Sequence, residues 1–103
     1  MGRLNLTEQA PGYFSVEGNL TFANIDKHSL QSFRYLKGID EICIDLAQVK
    51  TTDSAGLALM IEWIRHSRMI RARLTFKNVP EQLLALARLS GLDKTDYFSG
   101  AGA

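Results

Sequence analysis

The chain has 103 residues, of which 46% are hydrophobic and 22% are charged. This length suits one small domain, and the composition is that of a globular protein rather than a disordered or fibrous one. The formal net charge of +1 gives no general electrostatic reason to expect nucleic acid or an anionic membrane as partner. We predict a single domain over residues 1–98, followed by a flexible tail of small residues over residues 99–103.

The N-terminal segment has no apolar stretch of signal-peptide length. The longest hydrophobic run, LALMI, is far shorter than a membrane span requires. We therefore expect a cytoplasmic protein without direct membrane insertion. The lone cysteine, Cys43, excludes an intramolecular disulfide bond.

Strand and helix signals alternate along the first part of the chain. A weak strand signal lies around Leu4 to Thr7, and the alternation in YFSVEGNLTF predicts strand, bend, strand around Gly18. The stretch NIDKHSLQSFRYLKG then has Asn24 as a candidate helix N-cap, apolar residues about one turn apart, and Gly38 as a stop signal. This pattern predicts an amphipathic helix.

The segment EICIDLAQV predicts a central strand. Ile42, Ile44 and Leu46 share one face of this strand, and Cys43 lies on the other. Both faces look apolar, which is typical of a strand inside a parallel sheet. Cys43 fits the role of a small buried hydrophobe better than that of a reactive thiol.

The last part of the chain predicts helix, strand, helix. A helix from Ser54 to Arg68 has one apolar stripe, and the strand RLTFKNV follows it. Pro80 then opens a final helix that stops at Gly91. The predicted stripe residues are Leu57, Met60, Ile61 and Ile64 in the first of these helices and Leu83, Leu84, Ala87 and Leu89 in the second.

The predicted order is strand, strand, helix, strand, helix, strand, helix. Strands joined through helices favour parallel pairing with right-handed crossovers. We therefore expect an α/β fold of two layers: a mixed, mostly parallel sheet of about four strands with helices packed on one face.

Signals for catalysis or cofactor binding are weak. His28 and His66 lie far apart without ligand partners at metal-site spacing, so we predict no metal. No glycine-rich phosphate loop is present, and DSAGL lacks the first glycine of a nucleophile elbow. We expect no enzyme, no catalytic residue and no cofactor.

One basic block stands out in IRHSRMIRAR. It contains Arg65, Arg68, Arg71 and Arg73. The favoured interpretation is the solvated end of a helix, where cations suit the helix dipole.

The turn TTDSAG, from Thr51 to Gly56, joins the central strand to its helix. Asp53 or Ser54 could simply cap the helix, a role worth roughly 1 kcal/mol. However, the turn follows the carboxyl end of a central strand, where open α/β sheets usually place their sites. Its small residues would let another molecule approach the backbone. A phosphate on Ser54 would meet the positive helix end, although Asp53 would partly repel it.

With these elements in place, the sequence resembles a STAS domain. The resemblance covers about Glu41 to Leu92: a strand ending in IDL, then DSAGL opening a helix, a strand ending in NVP, and a last helix closing with LSGL. The upstream VEGNLTF also fits an early strand turn of that family. The resemblance implies the STAS fold and a binding function rather than chemistry.

Two kinds of STAS protein match the turn. In anti-sigma factor antagonists the serine after the aspartate is phosphorylated by a partner kinase; Ser54 occupies that position, but Ala55 replaces the usual Ser or Thr. The segment DSAGLALMI is a better match to the STAS subunit of Mla phospholipid-trafficking ABC transporters. These transporters serve outer-membrane lipid asymmetry. We favour this second kind, peripheral to the inner membrane through its ATPase subunit, with a kinase or anti-sigma factor as the alternative partner.

The resemblance implies that the turn and the start of its helix dock on the partner. The implied partner-binding residues are Thr51, Thr52, Asp53, Ser54, Ala55, Gly56, Leu57 and Trp63. Trp63 lies off the predicted apolar stripe. It is either an exposed interface anchor or packed under a neighbouring helix, and the sequence leaves both open.

Overall fold

In the computed structural model of the protein, residues 5–20 and 40–98 are described. The elements in chain order are β1 (Asn5–Ala10), β2 (Tyr13–Leu20), β3 (Glu41–Thr52), α1 (Ser54–Met69), β4 (Arg73–Lys77) and α2 (Glu81–Leu89), followed by two short 3₁₀ turns (Leu92–Lys94 and Asp96–Phe98). The helix predicted between Asn24 and Gly38 and the predicted tail over residues 99–103 lie outside these residues.

The four strands form one sheet in the order β1-β2-β3-β4. β1 pairs antiparallel with β2, whereas β2 with β3 and β3 with β4 are parallel pairs. α1 joins β3 to β4, and a helix between two strands returns the chain to the same sheet edge, which gives a parallel pair. The connection between β2 and β3 lies outside the described residues. The predicted mixed, mostly parallel sheet is confirmed.

The first two strands differ in detail from the prediction. β1 extends to Ala10, past the predicted Thr7. β2 continues through Gly18 to Leu20, so the expected bend there is not a break in the strand. Gly18 has φ of 111° and the register with β3 shifts directly after it. A bulge with glycine at positive φ absorbs the irregularity without ending the strand.

Both helices pack on one face of the sheet, where the core lies. Ile42, Ile44 and Leu46 of β3 are fully buried there, as are Leu74 and Phe76 of β4. Each such side chain contributes about 1.5–3 kcal/mol by leaving water. The burial of this apolar surface stabilises the packing of the helices on β3 and β4.

The opposite face of the sheet is more polar than predicted. Cys43 and Asp45 of β3 are only half-buried, and no described element packs over them. The expectation of a strand apolar on both faces, with Cys43 buried, is therefore wrong. β3 is central because it pairs on both edges, yet among the described residues the helices cover only one side of the sheet.

α1 buries two of the four predicted stripe residues, Met60 and Ile64, but not the other two. Leu57 is only half-buried and Ile61 is 38% exposed. The buried residues follow one helical period: Ala55, Gly56, Leu59, Met60, Trp63, Ile64 and Ser67. The prediction followed the aliphatic residues and passed over Gly56 and Ser67, which are small enough to face the sheet and so shift the stripe.

The predicted apolar stripe of α2 is also wrong at one residue near the end of the helix. Leu83 and Ala87 are buried as predicted, but Leu89 is 86% exposed. Leu89 lies six residues after Leu83, about 240° around the helix, so it points away from the core. The predicted stop at Gly91 is confirmed, since its φ of 76° is the left-handed conformation that ends helices.

None of the helices within the described ranges is long and apolar enough to span a lipid bilayer.

Candidate functional site

The turn between β3 and α1 is tied to the neighbouring strand β2. Thr51 Oγ1 donates a hydrogen bond to Asn19 Oδ1 at 2.8 Å, and the Asp53 amide donates to the Leu20 carbonyl oxygen at 3.1 Å. These bonds join the carboxyl ends of two parallel strands. They hold the turn at a fixed position where the first turn of α1 begins.

Asp53 is the N-cap of α1. Its extended backbone (φ −137°, ψ −166°) turns the chain into the helix, and its Oδ1 accepts a hydrogen bond from the Ala55 amide at 2.8 Å. The Asp53 carbonyl oxygen accepts from the Gly56 amide at 2.9 Å. The capping role is therefore real. The carboxylate satisfies a helix amide that would otherwise lack a partner.

The small residues of the turn face inward, not outward. Ala55, Gly56 and Thr52 are all buried. A Cβ placed on Gly56 would overlap Thr52 Oγ1 and lie 3.1 Å from Leu20 Cβ. The expectation that Gly56 lets a partner approach the backbone is therefore wrong. Gly56 is small because α1 packs closely against the ends of β2 and β3.

The outward side of the segment presents a compact surface. Thr51, Ser54, Ala58 and Ile61 are exposed and Leu57 is half-buried. We call these five residues the outer surface of α1. Ser54, Ala58 and Ile61 follow the helical spacing of four and three, so they form one line along the helix.

Ser54 is the first residue of α1 and its side chain is exposed. Its hydroxyl forms no hydrogen bond with any residue in the described part of the chain. The first turn contains no acidic residue, so Asp53 is the nearest negative charge in sequence. The hydroxyl is available at the positive end of the helix dipole.

Trp63 is a core residue. Only 2% of its surface is exposed, and its ring lies 6.3 Å from that of Phe76, which in turn lies 5.4 Å from Phe98. The possibility of an exposed interface anchor is therefore wrong. Trp63 is packed, as the alternative expected, but its ring neighbour is Phe76 of β4. The inward stripe of α1 includes Trp63 because it lies three residues after Met60 and seven after Gly56.

A second polar cluster lies on the open face of the sheet. Asp45 accepts hydrogen bonds from the Tyr13 hydroxyl at 2.9 Å, the Asn78 amide group at 3.0 Å and the Ala47 backbone amide at 2.9 Å. Lys77 Nζ lies 5.6 Å from the centre of the Tyr13 ring. The cluster links β2, β3 and the end of β4.

These contacts shift two pKa values. Partial burial is the largest single influence on Asp45 and acts to raise its pKa. The hydrogen bonds from Asn78, Ala47 and Tyr13, with the charge of Lys77, together outweigh burial and lower the Asp45 pKa below its usual value. The pKa of Tyr13 is raised, chiefly because its hydroxyl donates to Asp45.

Sequence reasoning did not assign Ala58 and Ile61 to the site. The aliphatic pattern predicts Ile61 on the buried stripe and gives Ala58 no role. Counting four and seven residues on from Ser54 would have found both positions. The open-face cluster was also missed, because Tyr13 at the start of β2, Asp45 within β3 and Asn78 after β4 meet only through the register of the three strands.

The family model described as "Mlab, STAS domain" matches residues 7–98 of the chain. The chain belongs to the STAS domain family. This match confirms the family to which the sequence was similar, and the four-stranded α/β sheet is that of the STAS fold.

Two solved STAS structures have the same fold. The Bacillus cell fate determinant SpoIIAA in its phosphorylated form has a TM-score of 0.66 at 15% identity, covering 88% of this chain and 86% of that chain. The anti-sigma factor antagonist SpoIIAA in its unphosphorylated form has a TM-score of 0.59 at 15% identity, covering 84% and 82%. No curated protein matches this STAS domain significantly.

Proposed function

We propose that this STAS domain is a non-enzymatic subunit that binds and supports the ATPase of an Mla-type ABC transporter for phospholipid trafficking. The observation that carries the proposal is the match of residues 7–98 to the Mlab STAS family. STAS domains are generally regulatory or interaction modules that act through protein partners. In this proposal the chain is held at the inner membrane by its partner complex.

The outer surface of α1 is the proposed contact with the ATPase. Thr51 and Ser54 supply hydroxyls at the N-terminal end of this surface. Leu57 and Ile61 supply apolar area beside the small Ala58. A small residue between two aliphatic ones lets a partner helix or loop approach closely. Asp53, Thr52, Ala55 and Gly56 support this surface from beneath, because their contacts place Ser54 at the helix start.

The position of the one histidine within the described residues, His66, supports a binding function. His66 is twelve residues along the same helix, roughly 18 Å away at the rise of an α-helix. A serine nucleophile needs a base within hydrogen-bond reach. His28 lies outside the described residues.

The experiment is a binding titration of the purified chain with the Mla-type ATPase subunit. It uses two matched variants, in each of which an exposed helical alanine is replaced by arginine. Ala58→Arg places a long cation in the outer surface of α1, and Ala85→Arg does the same on the exposed side of α2. We expect Ala58→Arg to weaken binding at least about tenfold, since it buries a charge in the contact. Ala85→Arg should bind like the wild type.

Both positions are exposed on helices and arginine is a good helix former, so both variants should fold. Circular dichroism checks this. Equal affinities for the two variants would contradict docking through the outer surface of α1. No binding by the wild type would contradict the ATPase as partner.

The second candidate function is an anti-sigma factor antagonist switched by phosphorylation of Ser54. The exposed Ser54 hydroxyl at the start of α1 favours it, as does the likeness to SpoIIAA, which was solved in a phosphorylated form. A cognate kinase with ATP should then phosphorylate the wild type and not Ser54→Ala, as read by intact-mass spectrometry. Ser54→Asp should release the anti-sigma partner.

A further inference from the structure

The end of α1 opposite Ser54 carries a feature that ATPase docking does not explain. Arg65, Arg68, Arg71 and Arg73 lie within nine residues there. The fold adds that Met69 is 79% exposed, although it is a large apolar residue. A solvated helix end accounts for the arginines, since cations suit the negative end of the dipole, but not for the protruding methionine.

A second protruding apolar side chain lies at the same end of the helical layer. α1 and α2 each follow a parallel strand and therefore run back toward the amino ends of β3 and β4. The two helices pack against each other. Leu89, 86% exposed in the last turn of α2, thus lies at the end where Met69 ends α1. We call Arg65, Arg68, Met69, Arg71 and Leu89 the arginine patch.

The charge of the arginine patch is only partly compensated. Arg68 and Arg71 form no ion pair with any described residue. Arg65 pairs with Glu62 at 3.2 Å on the surface. Exposed pairs of this kind contribute little and can exchange their partner for another anion.

The neighbouring cations are also held loosely. Arg88 lies 3.5 Å from Glu81, and Arg73 lies 4.0 Å from Glu41. Both pairs are exposed at the surface. These carboxylates pair with the neighbouring arginines, whereas Arg68 and Arg71 are the arginines of the patch that no described carboxylate pairs with.

Cations around two exposed aliphatic side chains match the interface of an anionic bilayer. Arginine can extend its apolar stem along the acyl boundary while its guanidinium binds phosphate. Met69 and Leu89 gain from leaving water, which binding to a nucleic acid backbone would not offer them. We propose that the arginine patch is a contact surface for the anionic headgroup layer of a phospholipid bilayer.

The contact is adsorption at the interface rather than insertion, and it is independent of the ATPase partner. Each cation near an anionic surface strengthens adsorption about fivefold at physiological salt. Two uncompensated arginines therefore give a weak, reversible contact. Such a contact would orient a chain that a partner already holds beside the membrane.

The experiment is co-sedimentation of the full chain with vesicles of equal parts phosphatidylcholine and phosphatidylglycerol, at lipid excess and low salt. Pure phosphatidylcholine vesicles are the reference. We expect the wild type to partition onto the anionic vesicles and to be released by high salt. Arg68→Glu should lose at least about fivefold in partitioning, whereas Arg68→Lys, which keeps the charge, should bind nearly as the wild type.

Lys50→Glu is the matched charge control, because Lys50 is exposed near the carboxyl end of β3, away from the patch. It should change partitioning less than twofold. Met69→Ser and Leu89→Ser should each weaken vesicle binding about threefold and leave binding to a DNA duplex unchanged. Circular dichroism confirms folding of every variant.

Equal partitioning of the wild type onto both vesicles would overturn the proposal, as would equal losses for Arg68→Glu and Lys50→Glu. If the two serine variants bound vesicles like the wild type while Arg68→Glu lost both vesicles and duplex, the patch would be a general polyanion site. That result would overturn the assignment to lipid.

Discussion

The inner and outer sides of one continuous segment, residues 51–69, use similar residues for opposite purposes. On the inner side, Thr52 and Gly56 lock the start of α1 against β2. On the outer side, Thr51 and Ser54 are exposed to solvent. A hydroxyl or a small residue in a motif therefore does not identify a binding position until the direction in which it points is known.

The difference changes how the site should be probed. A bulky residue at Gly56 would disrupt the packing of α1 against Thr52 and Leu20, whether or not a partner is bound. A loss of binding in such a variant would carry no information about docking. Ala58, on the outer side of the same helix, tests the surface and leaves the core intact.

The largest expected contrast is between Trp63 and Ile61. Trp63→Ala should lower the free energy of unfolding by about 3–5 kcal/mol, because it empties a core position beside Phe76. Ile61→Ala should lower it by less than about 1 kcal/mol, since Ile61 is partly in water. Chemical denaturation at constant m-value measures both.

If Ile61→Ala proved as destabilising as Trp63→Ala, the assignment of the two residues to opposite sides of α1 would be wrong. Ile61 would then belong to the core rather than to the outer surface. Affinity for the ATPase gives the complementary measurement. If both variants fold, Ile61→Ala should weaken binding more than Trp63→Ala does.

A smaller effect is expected at Gly56. Gly56→Ala should cost about 1–3 kcal/mol, because the new methyl group overlaps Thr52 Oγ1 and crowds Leu20. This is the reverse of the usual gain from replacing glycine in a helix. Denaturant unfolding of the purified variant measures the cost.

A double-mutant cycle gives the control for Gly56. Thr52→Ala removes the overlapping oxygen, so the double variant should recover roughly 1 kcal/mol relative to the sum of the single changes. Strict additivity would show that Thr52 and Gly56 are not in contact and that the inner side is looser than the structure has it.

The smallest effect is expected at acid pH and comes from the open face of the sheet. The folded-state pKa of Asp45 lies below its usual value, so its contribution to stability is present above about pH 4 and is lost as pH falls through the folded pKa. Because Asp45 is only half-buried, solvent screening should keep the contribution below about 1 kcal/mol.

Asp45→Asn should therefore flatten the acid limb of the stability curve, as measured by denaturant unfolding across acid pH. An unchanged acid limb in Asp45→Asn would show that the open-face cluster does not hold the carboxylate in its charged form.

Much of the fold could be predicted because its signals are local. The alternation Ile42, Ile44, Leu46, the cap at Asp53 and the stop at Gly91 each act within a few residues, and all were found where expected. The crossover rule then set the parallel pairs. The errors arose where a side-chain type was taken as a guide to burial, as at Leu89 and Ile61.

The candidate site divides in the same way. The position of TTDSAG after a central strand could be read from the pattern, and so could the capping aspartate. The inward direction of Gly56 could not, because it depends on how closely α1 approaches Leu20, a residue more than thirty positions earlier. The cluster of Tyr13, Asp45 and Asn78 depends in the same way on strand register.

The sequence by itself determined the order of the described elements, the likeness to STAS domains and the hydroxyl-rich turn at the start of α1. These features follow from periodicity, capping and chain connection, which act over short distances. Only the tertiary structure decided which side of α1 is buried, that Trp63 lies in the core and that Met69 and Leu89 protrude beside the arginines. The physical reason is that helix rotation is set by the best packing of the whole face against the sheet, to which small residues such as Gly56 and Ser67 contribute as much as large ones.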